Sequence, residues 1–389
     1  MRYSDFGRNN FVNDSISKPA WGTPPWTIDF HPVRHPIPET IDFAVVGGGF
    51  AGLAAAAWLR RSAPEKSAAL FEMRSIGAGS SGYTGGMVLG ETAAGDLPGL
   101  GDVLQGYRNI LSEFDIRADL ALSGVWEIGR AATLPESPIS WADSGILRAV
   151  REVPGGSVDP GMVVSGLARA AVKSGALVFE NLPVIDIDSE NELMLLRVPG
   201  AIVRARNVLF ATNAMSLELA GQHEKAQPKF TLAVATEPLS DEQRDALGLA
   251  DGKPFYTIDF PYLWGRHLRN GGVVFGAGLV HMDHWRELDG INIAQGEAAQ
   301  LISRLQIRVR GLHPAMRLVR FTHQWGGPIL IADRWRPVFS RHPKYSRAIV
   351  LGAFSGHGVA QSVYLGKWAA EALCGLRELP DWGSAMETP

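Results

Sequence analysis

Cysteine is nearly absent from this sequence, and it has no long hydrophobic run. The 389 residues include one cysteine, Cys374, which excludes an internal disulfide, a cysteine metal cluster and a cysteine redox pair. No apolar run approaches the roughly 18 residues of a membrane helix, and residues 1–7 lack the features of a secretion signal. We therefore expect a protein of the reducing cytoplasm that is neither secreted nor membrane-spanning.

Neither sign of charge is in large excess. The 37 basic and 40 acidic residues leave a net charge of −3, which predicts no binding to nucleic acid or to an anionic membrane. One cluster of basic residues is interpreted as a solvated helix face and loop, and it comprises Arg304, Arg308, Arg310, His313, Arg317 and Arg320. No fixed-period repeat is evident, which argues against solenoids and propellers.

The sequence does contain enough apolar residues for a large core, with 46% hydrophobic content. A chain of this length and composition predicts two connected lobes. Residues 1–40 are rich in proline and aromatic residues, which favours an extended arm packed across the body over a disordered tail.

The most informative segment is a glycine turn between an apolar run and an alanine-rich stretch. Residues 41–46 predict a strand, Gly47 to Gly52 a turn, and the residues up to Arg61 a helix. In this pattern Gly47 permits the tight turn, Gly49 lets the backbone approach a pyrophosphate, and Gly52 lets helix and strand pack closely. The chemistry predicted is dinucleotide binding.

Two further features indicate which dinucleotide is bound. A second apolar strand, residues 67–71, ends at Glu72, where a carboxylate would accept hydrogen bonds from the adenosine ribose. Residues 76–86 then form a second loop of small residues, which would let a larger ligand lie against bare backbone. Together they indicate FAD.

Later segments indicate how the chain is organised. Pro160 is predicted to open a helix that stops near Gly175, and the strand of residues 207–211 ends at Thr212, where open α/β sheets bind ligands. Strand 347–354 leads through a glycine turn into a helix over 359–373, and residues 228–330 contain several β-rich runs. The predicted parts are an N-terminal arm (1–40), an FAD-binding domain (41–95, 150–225 and 330–380) and a substrate domain (96–149 and 226–329).

Together these motifs resemble the FAD-dependent D-amino-acid oxidase superfamily, in particular its glycine oxidase and gamma-glutamylputrescine oxidase types. The resemblance spans about residues 20–375. It is carried by Gly47-x-Gly49-x-x-Gly52, Glu72, Ser81-Gly82-Tyr83-Thr84-Gly85-Gly86, residues 209–214, Trp325-Gly326-Gly327 and Ser355-Gly356-His357-Gly358-Val359. It implies an α/β fold, in which an FAD-binding Rossmann-like lobe of the glutathione reductase type is interleaved with an α+β substrate lobe that contains an antiparallel sheet.

The resemblance also implies which residues bind FAD. The first glycine loop would hold the pyrophosphate, Glu72 the ribose and Val184 the adenine side, and the turn at residues 355–358 would lie near the isoalloxazine ring. The cofactor-binding residues so implied are Gly47, Gly49, Phe50, Ala51, Gly52, Glu72, Met73, Arg74, Gly79, Ser80, Ser81, Gly82, Thr84, Gly85, Gly86, Val184, Ala211, Thr212, Asn213, Trp325, Gly326, Gly356, His357, Gly358 and Val359.

Three departures from the family pattern bear on the chemistry. Related monomeric sarcosine oxidases carry a lysine, linked to oxygen reduction, in the strand that here reads Val273-Val274-Phe275-Gly276. D-amino-acid and glycine oxidases carry a carboxylate-binding arginine where this chain has residues 328–330, Pro-Ile-Leu. Relatives with covalent flavin use a cysteine or histidine near the ring, and the loop of residues 81–86 has neither, so we expect non-covalent FAD.

The resemblance implies oxidation of the C–N bond of an amine or amino acid, by hydride transfer to the flavin that gives an imine. His357 is the candidate contact to the isoalloxazine ring. The alternative is that His357 is a packed residue whose imidazole only completes the turn. Aromatic side chains could form a cage for the amine or could pack in the core. The substrate-side candidates are Tyr256, Tyr262, Trp264, His267 and Trp325.

The electron acceptor is left open by the sequence. Oxygen is the expected acceptor, and the alternatives are a dehydrogenase that uses a quinone or protein acceptor and a flavoprotein subunit that needs a partner chain. The predicted partners are therefore a small amine or amino acid, oxygen or another acceptor, and a possible protein partner. His281, Asp283 and His284 form an HxDH cluster, which we interpret as a polar loop, and no metal is expected.

Overall fold

A computed structural model describes residues 19–130 and 134–384. The strands in chain order are β1 Thr40–Val46, β2 Ala68–Phe71, β3 Met87–Leu89, β4 Val125–Gly129, β5 Ser140–Ala142, β6 Ile146–Val153, β7 Gly155–Ser157, β8 Leu177–Phe179, β9 Asp186–Glu190, β10 Leu193–Val198, β11 Ala201–Phe210, β12 Ala226–Thr236, β13 Phe255–Thr257, β14 Trp264–His267, β15 Val273–His281, β16 Phe321–Ala332, β17 Val338–Arg341 and β18 Ala348–Gly352.

The helices in chain order are α1 Phe50–Ser62, α2 Ser80–Tyr83, α3 Val103–Glu113, α4 Pro160–Lys173, α5 Asp241–Leu247, α6 Gly296–Gly311, α7 Gly358–Leu373 and α8 Asp381–Ser384. Short 3₁₀ segments occupy Trp285–Gly290, Pro314–Met316 and Asp333–Trp335. Within the described ranges, no helix is long and apolar enough to cross a membrane.

The first sheet is largely parallel, with the order β17-β18-β11-β1-β2-β8 and the hairpin β9–β10 attached to β11. β1 pairs in parallel with both β11 and β2, and all the residues of β2 are buried, as expected for a strand covered on both faces. Helices α1, α3, α4 and α7 cover one face in a single apolar cluster. The opposite face packs in another cluster with residues of the second sheet. The predicted Rossmann-like lobe is therefore confirmed.

The second sheet has the order β16-β12-β15-β14-β13-β4-β6-β5. Its pairs are antiparallel except for β13 with β4. Helix α6 packs against β12 and β15 and buries Ile302, Leu305 and Val309 in the shared core. This confirms the predicted second lobe with an antiparallel sheet.

The described part of the N-terminal arm crosses the body. Trp21 is 0% exposed, and its indole N–H donates to the carbonyl of Leu288 at 2.9 Å. Trp26 is also buried, with its indole N–H on the carbonyl of Gly82 at 2.8 Å. From residue 19 onward the arm therefore packs against the body, and its first 18 residues lie outside the described ranges.

Two elements cut across the predicted domain boundaries. Strand β16 runs through residue 330 as one piece of the second sheet. Helix α3 lies within residues 96–149, the segment predicted to belong to the substrate domain, yet it packs against α7 and buries Val103, Tyr107 and Ile110 in the core of the first lobe. The amphipathic pattern of α3 predicts that one face of the helix is buried. It does not predict which lobe buries that face, because any apolar surface can cover it. The other boundaries remain a prediction.

Candidate active site

A cavity of about 1220 Å³ lies between the two sheets. One wall is formed where β1, β2 and β11 end and where the turn after β18 begins, which is the edge at which open α/β sheets bind ligands. The facing wall comes from β12, β13, β14, β15 and β16 of the second sheet. The cavity therefore connects the glycine turns with the aromatic segment that the sequence assigns to substrate.

Most of the predicted cofactor residues line this cavity. They are Gly47, Gly49, Phe50, Ala51, Glu72, Met73, Arg74, Gly79, Ser80, Ser81, Thr84, Gly85, Val184, Ala211, Thr212, Asn213, Gly356, His357, Gly358 and Val359. They come from six separate segments of the chain, which the fold brings together around one cavity.

The first glycine turn places the start of α1 against the cavity. Gly47 has φ +111°, and a Cβ there would lie 2.5 Å from the carbonyl oxygen of Ala211, so the position requires glycine. Gly49 precedes α1 and has no side-chain cap. The helix start thus offers backbone N–H groups and the positive end of its dipole to an anion.

Hydrogen bonds tie the loops of this edge together. The Ser81 hydroxyl accepts the N–H of Phe50 at 2.9 Å. The amide of Asn213 donates to the Ser80 hydroxyl at 2.8 Å and accepts the N–H of Ala353 at 3.0 Å. The three loops therefore keep fixed positions around the cavity.

Glu72 lies at the end of β2 with its carboxylate on backbone N–H groups. Oε2 accepts the N–H of Gly48 at 2.7 Å, and Oε1 accepts that of Arg74 at 2.9 Å. Burial raises the pKa of Glu72, and these two hydrogen bonds oppose that rise. Lone pairs remain on both oxygens for ligand hydroxyl groups.

Substitution of Glu72 by Gln is expected to weaken FAD binding. The NH₂ group of the glutamine amide cannot accept a hydrogen bond, so one of the two backbone N–H donors would lose its acceptor. Loss of a charged hydrogen bond costs about 1.5–3 kcal/mol, or roughly 10–100-fold in Kd. Titration of apoprotein with FAD measures this, and the exposed Glu65→Gln is the control. An unchanged Kd in Glu72→Gln would rule out a contact between this carboxylate and the cofactor.

Four predicted cofactor glycines, Gly52, Gly82, Gly86 and Gly326, do not line the cavity. They lie behind it at close contacts. A Cβ at Gly52, Gly82 or Gly86 would come within 2.4 Å of a carbonyl oxygen, and one at Gly326 would lie 2.1 Å from the ring of Phe230. These glycines shape the wall by allowing close packing.

Trp325 does not line the cavity either, which corrects its prediction as a substrate and cofactor contact. Its side chain is 0% exposed and packs edge-to-face on Trp26. Its indole N–H donates to the carbonyl of Tyr83 at 3.0 Å, so Trp325 supports the second glycine loop from behind. An indole of this size is more often a core residue than a ligand contact.

Part of the aromatic segment faces the cavity. Tyr256, Tyr262 and Trp264 line the cavity, and His267 does not. Because side chains alternate along a strand, His267 of β14 points away from the face that carries Trp264, three residues earlier. Burial lowers the pKa of His267, which favours a neutral imidazole inside the lobe.

Tyr256 is held by a carboxylate behind it. Its hydroxyl donates to Oε1 of Glu127 at 2.6 Å, and Arg151 donates to the same oxygen at 3.0 Å. Burial opposes the ionised form of Glu127, but hydrogen bonds from Arg151 and Tyr256 hold its pKa below the usual range. The Tyr256 ring is therefore fixed in the wall, with its hydroxyl already engaged.

One arginine of the predicted basic cluster supports the cavity. Arg308 donates to the carbonyls of Pro261 at 2.7 Å and Tyr262 at 2.9 Å, and it pairs with Asp143 at 2.5 Å. The solvated face predicted for this cluster is therefore wrong for Arg308, because its guanidinium fixes the backbone of a loop that lines the cavity. The tip of that loop, Phe260, is 74% exposed.

Buried polar atoms in the wall fit a polar ligand. The Thr212 and Ser362 hydroxyls and Nδ1 of His357 line the cavity and have no hydrogen-bond partner among the described residues. Burial lowers the pKa of His357, so its imidazole is neutral at neutral pH. Unpaired buried polar atoms are costly, and a bound cofactor with hydroxyl, carbonyl and ring nitrogen groups would satisfy them.

Several residues of the second sheet line the cavity without having been predicted as site residues, including Thr231, Lys229, Leu279, His281 and Ile329. Lys229 and His281 are directly opposite on β12 and β15, with Nζ 2.8 Å from Nδ1. Because side chains alternate along a strand, the sequence could have placed Lys229 and Thr231 on one face of β12. No local signal, however, shows that this face meets a cavity.

The HxDH cluster does not converge on one point. His281 bonds Lys229, whereas Nε2 of His284 lies 2.7 Å from a carboxylate oxygen of Glu218. Across the described ranges, no group of three or more His, Cys, Asp or Glu side chains is placed to hold a metal ion.

Comparison with known proteins gives relatives that span most of the chain. It is 24% identical to the gamma-glutamylputrescine oxidoreductase of Escherichia coli over 388 residues, covering 86% of this chain and 84% of that protein. It is 26% identical to a probable oxidoreductase, OrdL, of Haemophilus influenzae, over 54% of this chain and 46% of that protein.

Solved structures show the same fold. The glycine oxidase from Geobacillus kaustophilus superposes with a TM-score of 0.72 at 18% identity, covering 90% of this chain and all of that one. Residues 42–372 match the family described as FAD dependent oxidoreductase, DAO. That match covers most of the chain and both lobes around the cavity, so the protein belongs to the FAD dependent oxidoreductase (DAO) family.

Proposed function

We propose that this protein uses non-covalently bound FAD to oxidise the C–N bond of an amine or amino acid to an imine. The observation that carries the proposal is one continuous cavity shared by the cofactor turns and an aromatic-lined end. The E. coli relative, a gamma-glutamylputrescine oxidoreductase by name, supports an amine substrate.

The proposed cofactor contacts follow the order of the motifs along the cavity. The start of α1 holds the pyrophosphate, because its N–H groups and dipole favour an anion. Glu72 accepts the ribose hydroxyls, and the turn before α7 holds the ring. Ala353 and Ser355 in that turn have φ of +55° and +50°, a conformation that is uncommon for non-glycine residues.

The substrate end is suited to a neutral amine. Bound FAD would supply the acceptor for the hydride that leaves the carbon beside the nitrogen. Tyr256, Trp264 and Ile329 make this end weakly polar, and low polarity favours the unprotonated amine. The fixed rings of Tyr256 and Trp264 would orient the C–H bond and exclude water.

The test is the visible spectrum of the purified protein under anaerobic conditions, with D-amino acids, N-methyl amino acids and polyamine derivatives added in turn. A flavin band near ~450 nm that one compound bleaches is the expected result. Bleaching of the purified chain alone would also argue against a need for a partner subunit. A flavin that no member of the panel reduces would contradict the proposal.

Oxygen is the proposed electron acceptor, and a quinone or protein acceptor is the second candidate. The second candidate is favoured by β15, which lines the cavity with Ala277, Gly278 and Leu279 and carries no lysine. Admission of air to the reduced protein separates the two. Rapid return of colour supports an oxidase, and slow return that a quinone accelerates supports a dehydrogenase.

A further inference from the structure

The charges on the cavity wall are few and unevenly placed. Among the described residues, the lining side chains with a fixed charge are Glu72, Arg74 and Lys229. Arg74 is bonded to Asp289, and Glu72 lies at the end of β2, on the cofactor side. Lys229 is the lining cation of the second sheet, on the side with the aromatic segment.

No carboxylate neutralises Lys229 among the described residues. The lysines in ion pairs there are Lys253 and Lys367, and Lys229 is not one of them. Its ammonium bonds Nδ1 of His281 at 2.8 Å and Oε1 of Gln227 at 3.3 Å. An ammonium has three donors, so one N–H remains available.

The same contact fixes the proton on His281. Because Lys229 can only donate, Nδ1 of His281 must accept, and the neutral ring then carries its proton on Nε2. The pair thus offers two N–H donors, one from each residue. The two residues are directly opposite on β12 and β15, so the backbone sets their separation.

The neighbours of the pair in the sheet carry no charge. On the side away from β15, Lys229 pairs with Ile329 of β16. Two residues further along β12, Thr231 pairs with Leu279 of β15. Lys229 is half-buried and His281 is exposed, so solvent screens part of the lysine charge. A protonated amine would be repelled here, whereas an anion would gain both donors.

We propose that Lys229 and His281 form a subsite for a carboxylate of the substrate. The inference rests on the proposed function and narrows it: the preferred substrate is an amine that carries a carboxylate, rather than a simple polyamine. Two oxygens match two donors, one charged and one neutral.

The test measures binding of phenylacetate and of its neutral isostere phenylacetamide to the FAD-loaded protein by calorimetry. The wild type is expected to bind phenylacetate about 5-fold more tightly than phenylacetamide, because the charged contact is partly exposed to solvent. Lys229→Met should remove this preference, Lys229→Arg should retain it, and the exposed Lys173→Met is the matched control that should not alter it.

The absence of a preference in the wild type, or a full preference in Lys229→Met, would overturn the subsite. If Lys229→Met fails to retain FAD, His281→Phe tests the same pair, and an unchanged preference there counts against it. The assay needs no oxidation, so it can fail or succeed independently of the proposed amine chemistry. For any amine that bleaches the flavin, kcat/KM for the acid should exceed that for its methyl ester in wild type and not in Lys229→Met.

Discussion

A single methyl group added at Gly52 is expected to weaken FAD binding by about 100-fold. The Cβ of Gly52→Ala would lie 2.0 Å from the carbonyl oxygen of Gly47 and 3.1 Å from its carbon. Both atoms belong to the backbone, so no side chain can rotate away. Overpacking of this kind costs about 1–3 kcal/mol, and the upper value corresponds to roughly 100-fold in Kd.

The cost falls on the cofactor turn because of where Gly52 packs. To relieve the contact, the first turn of α1 must move away from Gly47, and that turn carries the N–H groups at the cavity. The ratio of flavin to protein absorbance after purification, followed by titration with FAD, measures the effect. Gly311→Ala is the matched control, since a Cβ there meets no atom within 4 Å. Wild-type FAD affinity in Gly52→Ala would show that the turn tolerates the shift.

Truncation of Trp21 is expected to cost about 3–5 kcal/mol of unfolding free energy, the usual range for a fully buried tryptophan. The indole packs against Tyr83 and Phe230 with ring centroids 5.4 and 5.5 Å away, and its N–H donates to Leu288. Its backbone carbonyl also accepts the N–H of Gly326 at 2.8 Å. Trp21→Ala would leave a void where the arm, the second glycine loop and the second sheet meet.

Chemical denaturation of Trp21→Ala and of wild type measures the loss. It is read from the shift in the denaturation midpoint, provided that the unfolding free energy falls with denaturant concentration at the same slope in both proteins. The control is Leu318→Ala, which truncates an apolar side chain that is 92% exposed and should change stability little. Because Tyr83 lines the cavity, Trp21→Ala should also release FAD more readily. Stability within about 1 kcal/mol of wild type would mean that the arm is not part of the cooperative core.

Local patterns were sufficient to predict the cofactor half of the site. The strand before Gly47, the helix after Gly49 and the carboxylate at the end of β2 are each encoded within a few residues. Turns and strand ends of this kind have narrow sequence requirements, because backbone geometry permits few residue types there. The same holds for the helix that begins at Pro160, whose first turn is capped by Asp159.

Residues on the second sheet were predicted less well, for a physical reason. Trp325, His267 and Tyr262 carry equally plausible side chains for a substrate site, yet one is core, one faces away and one lines the cavity. Which face of a strand meets a cavity depends on strand pairing and on the opposite wall, and neither leaves a signal at the residue itself.

The sequence by itself determined the family, the cofactor and the Rossmann-like lobe, since these depend on short motifs whose backbone chemistry is local. Only the tertiary structure decided that α3 belongs to the first lobe, that Trp325 is a support, and that Lys229 meets His281 across two strands far apart in the chain. Such pairings follow from long-range packing, where any well-fitting apolar neighbour serves equally well and the local sequence is therefore uninformative.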